Sequence, residues 1–182
     1  SAGASAVQIE DQVFPKRAGL TPGRQVIPTE RMIEKLHATV DTKKNRDFVI
    51  IVRTDAQPLE EAIERANKYY EAGADVLIIE DLHSREEMIR INKEVRGLTL
   101  TGMVEGSGYP FFSIPELEKF GFKMVYFPDS SIFAATKAVS KVMRQLKDSG
   151  TTGGMMDEMT LFEEFNELVG FNKFDSLQRK YS

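Results

Sequence analysis

The 182-residue chain has no cysteine, no tryptophan and only two histidines. Without cysteine there is no disulfide framework, no thiolate metal site and no thiol nucleophile in this chain. No apolar stretch reaches the ~18 residues of a membrane span. A surplus of positive charge is also missing. Lysine and arginine number 24 against 28 acids, for a net charge of −4 and a pI near 5.4, so neither nucleic acid nor membrane is expected as a partner. No signal-peptide pattern is visible, and the expected location is cytoplasmic, with organelle targeting left open. With 41% hydrophobic and 29% charged residues the chain reads as one domain with a sizeable core.

What the chain does have is a repeated phrase. AGASAVQIED at 2–11 returns as AGADVLIIED at 72–81, and more loosely as FGFKMVYFPD at 120–129. In each, a glycine precedes the exit residue by seven positions: Gly3 to Glu10, Gly73 to Glu80, Gly121 to Pro128. Before the second copy, Leu59, Ile63, Ala66 and Tyr70 recur at helical spacing, with Glu60 and Glu61 in the first turn, where the helix dipole favours anions. Gly73 then stands where a left-handed cap is usual, and Val76-Leu77-Ile78-Ile79 reads as a strand buried on both faces. Further strands are predicted over 48–52 and 98–104, and helices over 28–43, 58–72, 84–95, 113–120 and 130–148. Strands alternating with helices predict βα units around a parallel sheet. Five units are visible, and residue 1 falls where a helix should be ending. The expectation is therefore a (β/α)8 barrel of which about five units are present, with roughly 90 residues of earlier units absent. A complete open five-stranded sheet is the alternative.

Ligands of parallel α/β folds bind at the carboxyl ends of the strands. Those ends read Glu10-Asp11, Arg53-Thr54-Asp55, Glu80-Asp81, Glu105 and Pro128-Asp129: a rim of carboxylates around one arginine. A divalent cation relieves crowded carboxylates, and an arginine among them can grip a substrate carboxylate, so metal plus organic anion is the combination suggested. Asp81 and Asp129 read instead as helix N-caps, a place glutamate does not favour, which leaves Glu10, Glu80 and Glu105 for the site. After Asp11 the stretch QVFPKRAGLTPGRQVIP (12–28) has three prolines, two glycines and no helical period. A long loop at the catalytic face is usually functional, and Lys16 and Arg17 are placed to swing over an anionic substrate. Gly106-Ser107-Gly108 and His83 are weaker candidates, and His37 reads as solvated. Beyond Gly153-Gly154, the pattern of Leu161, Phe162, Phe165, Leu168 and Val169 predicts an apolar helix. Its stripe must be buried, on a neighbouring subunit or on its own barrel.

The words IEDQVFPKR (9–17), DFVIIVRTDA (47–56), EAIERANKYYEAGAD (61–75), MVEGSGYPFFSIPEL (103–117) and LVGFNKFDSLQRKY (168–181) resemble, in order, those of the isocitrate lyase / phosphoenolpyruvate mutase superfamily. Within it, Arg-Thr-Asp-Ala at 53–56 is closer to the lyase branch, that of the methylisocitrate lyases and oxaloacetate decarboxylases, than to the phosphonate mutases. The resemblance implies a Mg2+-dependent (β/α)8 barrel acting on an enolate-forming 2-oxo acid, with Mn2+ an alternative ion. It implies a tetramer whose subunits exchange a C-terminal helix. Residues 1–150 would be strands four to eight of the barrel, and 151–182 a C-terminal helical extension exchanged between subunits. Glu10 would reach the metal through a water, the direct ligands belonging to the absent strands. Lys16 would belong to the mobile gating loop, and Lys16, Arg17, Arg53 and Glu80 are the catalytic candidates. Arg53 would grip a carboxylate with Glu80 opposite, and Gly19 and Glu105 would join them in binding substrate.

The chain also departs from the resemblance. Lyases that cleave isocitrate or methylisocitrate carry a Lys-Arg-Cys-Gly-His or Lys-Lys-Cys-Gly-His loop whose cysteine protonates the departing enolate. Here the loop is Lys16-Arg17-Ala18-Gly19-Leu20, and alanine transfers no proton. An asparagine expected three residues before Glu105 is Gly102, and a histidine frequent two residues before Glu10 is Gln8. Three functions follow as expectations. The first is a Mg2+-dependent carbon–carbon lyase or decarboxylase for a small 2-hydroxy or 2-oxo dicarboxylate. The second is a phosphonopyruvate mutase or hydrolase, and the third a non-catalytic binding or assembly protein.

Overall fold

A computed structural model describes residues 3–19 and 21–181. Strands and helices alternate as expected: β1 (Ala6–Glu10), α1 (Thr29–Asp41), β2 (Val49–Thr54), α2 (Leu59–Glu71), β3 (Val76–Ile79), α3 (Arg85–Glu94), β4 (Leu98–Gly102), α4 (Ile114–Phe120), β5 (Met124–Tyr126) and α5 (Ser130–Ser149). The repeated glycine is a backbone device. Gly3, Gly73 and Gly121 have φ of 76°, 108° and 113°, the left-handed turn into a strand that a side chain would strain.

The five strands are parallel and lie in the order β1-β2-β3-β4-β5. A doubly wound sheet reverses its strand order at a switch point, and this one does not. The two faces confirm the difference. Ile50, Val52, Leu77 and Ile79 point to one side and join Met32, Leu36, Tyr69, Ile91 and Leu117 of the helices in a single core. Val76, Ile78 and Leu100 point to the other side, where Val49, Ile51 and Tyr126 surround them. Helices α1 to α4 on one face and side chains meeting on the other describe part of the wall of a (β/α) barrel, five strands of it. All four residues of β3 are buried, each contributing about 2 kcal/mol of apolar transfer.

Some elements differ from expectation. β2 continues through Arg53 and Thr54, whereas β4 stops at Gly102 and leaves Glu105 three residues beyond it. In α2 the core takes Tyr69, fully buried, while Tyr70 is 42% exposed, so the apolar stripe runs through 62, 63, 66 and 69. Asp81 is not the cap of α3. Ser84 is, its side chain accepting from the Glu87 N–H at 3.1 Å.

The chain forms two compact units, Ser1–Ser130 and Ser131–Ser182. In the second, α5 is followed by a 3-10 turn (Gly153–Glu158), α6 (Phe162–Leu168) and α7 (Phe171–Tyr181). Lys141 pairs with Glu158. Phe162, Phe165, Leu168, Phe171 and Phe174 stand exposed on its helices. Among the described residues no helix is long and apolar enough to cross a membrane.

Candidate active site

Side chains of a strand alternate between its faces, so neighbours at a strand end part company. Asp11 turns towards the helices and is fully buried. It accepts hydrogen bonds from Thr54 Oγ1 at 2.7 Å, Tyr69 Oη at 2.9 Å and the Asp55 N–H at 3.1 Å. Arg65 Nη1 lies 3.6 Å away, itself held by Glu61 and the Ile27 carbonyl. Burial raises the Asp11 carboxyl above its ordinary value, against the pull of these donors. One member of the expected acidic rim is thus a tie between sheet and helix.

Glu10, Arg53 and Glu80 turn the other way. Arg53 and Glu80 line a cavity of about 250 Å3 at the carboxyl ends of the strands, with Ala18, Gly19, Gly102, Tyr109, Tyr126 and Asp129. The Arg53 guanidinium, 8% exposed, donates from Nε and Nη2 to both oxygens of Asp55 at 2.9 and 2.7 Å. Its Nη1 lies 3.3 Å from Glu80 Oε2, and its Nε 3.6 Å from Glu10 Oε2. Burial works against the cation, but the bonds to Asp55 and the charges of Glu80, Asp55 and Glu10 outweigh it, and Arg53 stays protonated. Burial is also the main influence on Glu80, whose carboxyl lies above the ordinary glutamate value despite Arg53. The arrangement is an anion grip in a poorly solvated cleft, with a carboxyl beside it that holds a proton more readily than a free one.

The loop over this cleft is closed at its neck. The Val13 N–H donates to Gln25 O at 2.7 Å and the Ile27 N–H to Asp11 O at 2.8 Å. Lys16 Nζ reaches Glu10 Oε1 at 2.8 Å. Gly19 lies against the Arg53–Glu80 pair: a Cβ there would stand 2.6 Å from Glu80 Oε1 and 2.9 Å from Arg53 Nη2, so glycine lets the loop seat. Arg17 bonds within its own loop, to Gln12 Oε1 and, at 3.2 Å, to Pro22 O, and it is exposed away from the cavity. Leu20 lies outside the described residues.

Arg24 was not singled out from the sequence. It is 7% exposed, with Nη2 2.9 Å from Asp81 Oδ2 and Nε 3.0 Å from Asp55 Oδ1, the latter without hydrogen-bond geometry. It also donates to the Gly19 and Thr21 carbonyls, so it ties the loop to two strand ends. Asp81 has a φ of 70°, rare for a residue with a side chain, and accepts from Tyr109 Oη as well. His83 is exposed, stacks on Tyr109 at 5.0 Å and lies 3.8 Å from Asp81. Glu105 stands apart from the Arg53 cluster, exposed and accepting from Ser130 Oγ. Among the described residues no three His, Cys, Asp or Glu side chains converge to hold a metal ion. Glu10 Oε2, buried and without a hydrogen bond, suits a metal-held water but is not a ligand set.

A model of the phosphoenolpyruvate phosphomutase family matches residues 1–147. A 2,3-dimethylmalate lyase of Eubacterium barkeri is 44% identical over 184 residues, covering 100% of this chain and 64% of its own length. A 2-methylisocitrate lyase of Aeropyrum pernix is 36% identical over 184 residues, covering 100% and 59%. The chain thus spans about six tenths of the curated relatives it matches. Among solved structures, 2,3-dimethylmalate lyase aligns with a TM-score of 0.88 at 29% identity, over 97% of this chain and 60% of that one. Oxaloacetate acetylhydrolase bound to the inhibitor 3,3-difluorooxalacetate gives 0.87 at 29%, over 97% and 61%. Phosphonopyruvate hydrolase complexed with oxalate and Mg2+ gives 0.81 at 27%, over 98% and 63%.

Proposed function

The chain belongs to the phosphoenolpyruvate phosphomutase family, within the isocitrate lyase / phosphoenolpyruvate mutase superfamily, and from that premise we propose that it serves a carbon–carbon lyase or decarboxylase for a small 2-hydroxy or 2-oxo dicarboxylate. The observation that carries the reading is the Arg53 guanidinium, buried among Asp55, Glu80 and Glu10 in a cleft that the Gly19 loop covers. A substrate carboxylate displaces Glu80 from Nη1 and takes the grip, while the bond to Asp55 keeps the guanidinium oriented. The loop closes with Lys16 on Glu10 and Arg24 on Asp55 and Asp81, and water leaves the cleft.

In cleavage of a 2-hydroxy acid, the C2 hydroxyl loses its proton and the C2–C3 bond breaks. The electron pair goes to C3, which is then protonated. Ala18 lines the cavity and holds no proton; we assign both transfers to Glu80, whose carboxylate takes the hydroxyl proton and whose carboxyl then returns it to C3. Mg2+ is part of the proposal, supplying Lewis-acid charge at the 2-oxo end when bound. The described residues offer it Glu10 Oε2 through a water and no direct ligands, so no step above runs through the ion. A homo-oligomer with exchanged C-terminal helices belongs to the same reading, supported by the exposed phenylalanines of α6 and α7.

The test is a product assay by NMR with Mg2+ on 2,3-dimethylmalate, 2-methylisocitrate, oxaloacetate and phosphonopyruvate. Cleavage or decarboxylation of one of the first three is expected. Turnover of phosphonopyruvate alone would replace the reading with phosphonate chemistry, and no turnover of any would leave a binding protein.

A further inference from the structure

β4 and β5 pair so that Gly102 stands opposite Tyr126, and both line the cavity. Gly102 does not have the left-handed backbone that calls for glycine. Its reason is space: a Cβ there would lie 2.9 Å from Cε2 and Cζ of Tyr126 and 3.1 Å from its hydroxyl. Glycine in a strand forgoes packing and weakens it, and often marks a close approach. Here the thing approaching is a phenol, laid across the inner wall of the cleft.

The ring is partly buried, and its hydroxyl, open to the cavity, makes no hydrogen bond to protein among the described residues. A phenol that meets the cavity without a protein partner is free to bond what enters it, water or ligand. The other tyrosines near the site have protein partners: Tyr69 donates to Asp11 and Tyr109 to Asp81. The charges that act on Tyr126 are those of Glu80, Arg53, Asp55 and Glu10, so it faces the anion grip. Burial first, then Glu80, raise its pKa, so the hydroxyl remains a donor.

We propose that Gly102 and Tyr126 form one specificity element, in which the absent side chain at 102 lets the Tyr126 hydroxyl donate to the carboxylate or carbonyl oxygen at the far end of a diacid held by Arg53. The inference rests on the proposed diacid function and adds the residue that reads the second polar end. A donor here favours ligands with an acceptor at both ends over those with an apolar tail, because an apolar tail leaves the phenol unpaired.

The test uses the intact protein, Mg2+ and 3,3-difluorooxalacetate as the probe, followed by calorimetric titration and by thermal melting. Tyr126→Phe keeps the ring and should keep Tm, while weakening the probe about tenfold. Gly102→Ala should lower Tm by about 5 °C through overpacking, and Tyr126→Leu in the same chain should restore it. Unchanged probe affinity in the Phe variant would overturn the inference while leaving the diacid reading in place. A wild-type protein that does not bind the probe would overturn both. If Gly102→Ala melts as wild type, the close approach is not what glycine serves, and the pairing falls.

Discussion

Glu10 and Asp11 are neighbours, as are Arg53 and Thr54, yet the two faces of the sheet use them in opposite ways. On the helix side, Asp11, Thr54, Tyr69 and Arg65 form a closed network in which each group has protein partners. On the cleft side, Glu10 Oε2 and the Tyr126 hydroxyl have no hydrogen bond among the described residues, and Arg53 holds an excess of carboxylates. A satisfied polar network fixes the fold, whereas groups left without protein partners mark where a ligand, an ion or water can bind. Chemical type at a strand end therefore does not identify a site residue; the direction of the side chain does.

The contrast can be broken first on its helix side. Asp11→Ala orphans three buried donors and should cost about 3 kcal/mol, lowering Tm by about 9 °C in a calorimetric scan. A wild-type Tm would mean the network does not hold the sheet to α2.

Glu80→Gln probes the cleft side by pH. The Glu80 pKa is raised in the folded chain, so its contribution to stability is present below the ordinary glutamate value of about 4.3 and lost as pH rises through the folded value. At neutral pH the Gln variant should therefore melt no lower than wild type, and near pH 4 that relative advantage should vanish. Wild-type affinity for oxalate should rise on acidification, because a protonated Glu80 no longer repels the anion, and the Gln variant should flatten that profile. An identical pH profile in the two proteins would place the charge elsewhere. His83→Ala is the smallest change: His83 is exposed and outside the cavity, and less than a twofold change in oxalate affinity is expected.

Much of the fold was legible because it rests on short-range backbone demands. The spacing of seven from glycine to strand exit marks a turn that only glycine makes easily, and all three turns are found. Glu10, Arg53 and Glu80 were legible for the same reason, since a strand exit is a local feature. What escaped depends on contacts distant in sequence. Tyr70 fitted the stripe Leu59, Ile63 and Ala66, but Tyr69 is the ring that reaches Asp11, and Arg65 is buried beside it because it too has partners. Asp81 before a helix resembled a cap, yet Ser84 holds that place and Asp81 receives Arg24. Arg24 sits in a loop without period, and only loop closure shows where it reaches. Tyr126 lies inside the third, looser phrase, where nothing in the sequence marks it out. A glycine inside β4 facing an aromatic on β5 was the available signal, and it needed the register to be heard.

The proposed function stands on the buried Arg53 as the grip for a substrate carboxylate. Titration of oxalate with Mg2+ into wild type and Arg53→Ala, both checked for folding by circular dichroism, tests it most directly. Saturable binding to wild type and a loss of at least about 100-fold in the variant are expected. Equal affinity in the two proteins would contradict it.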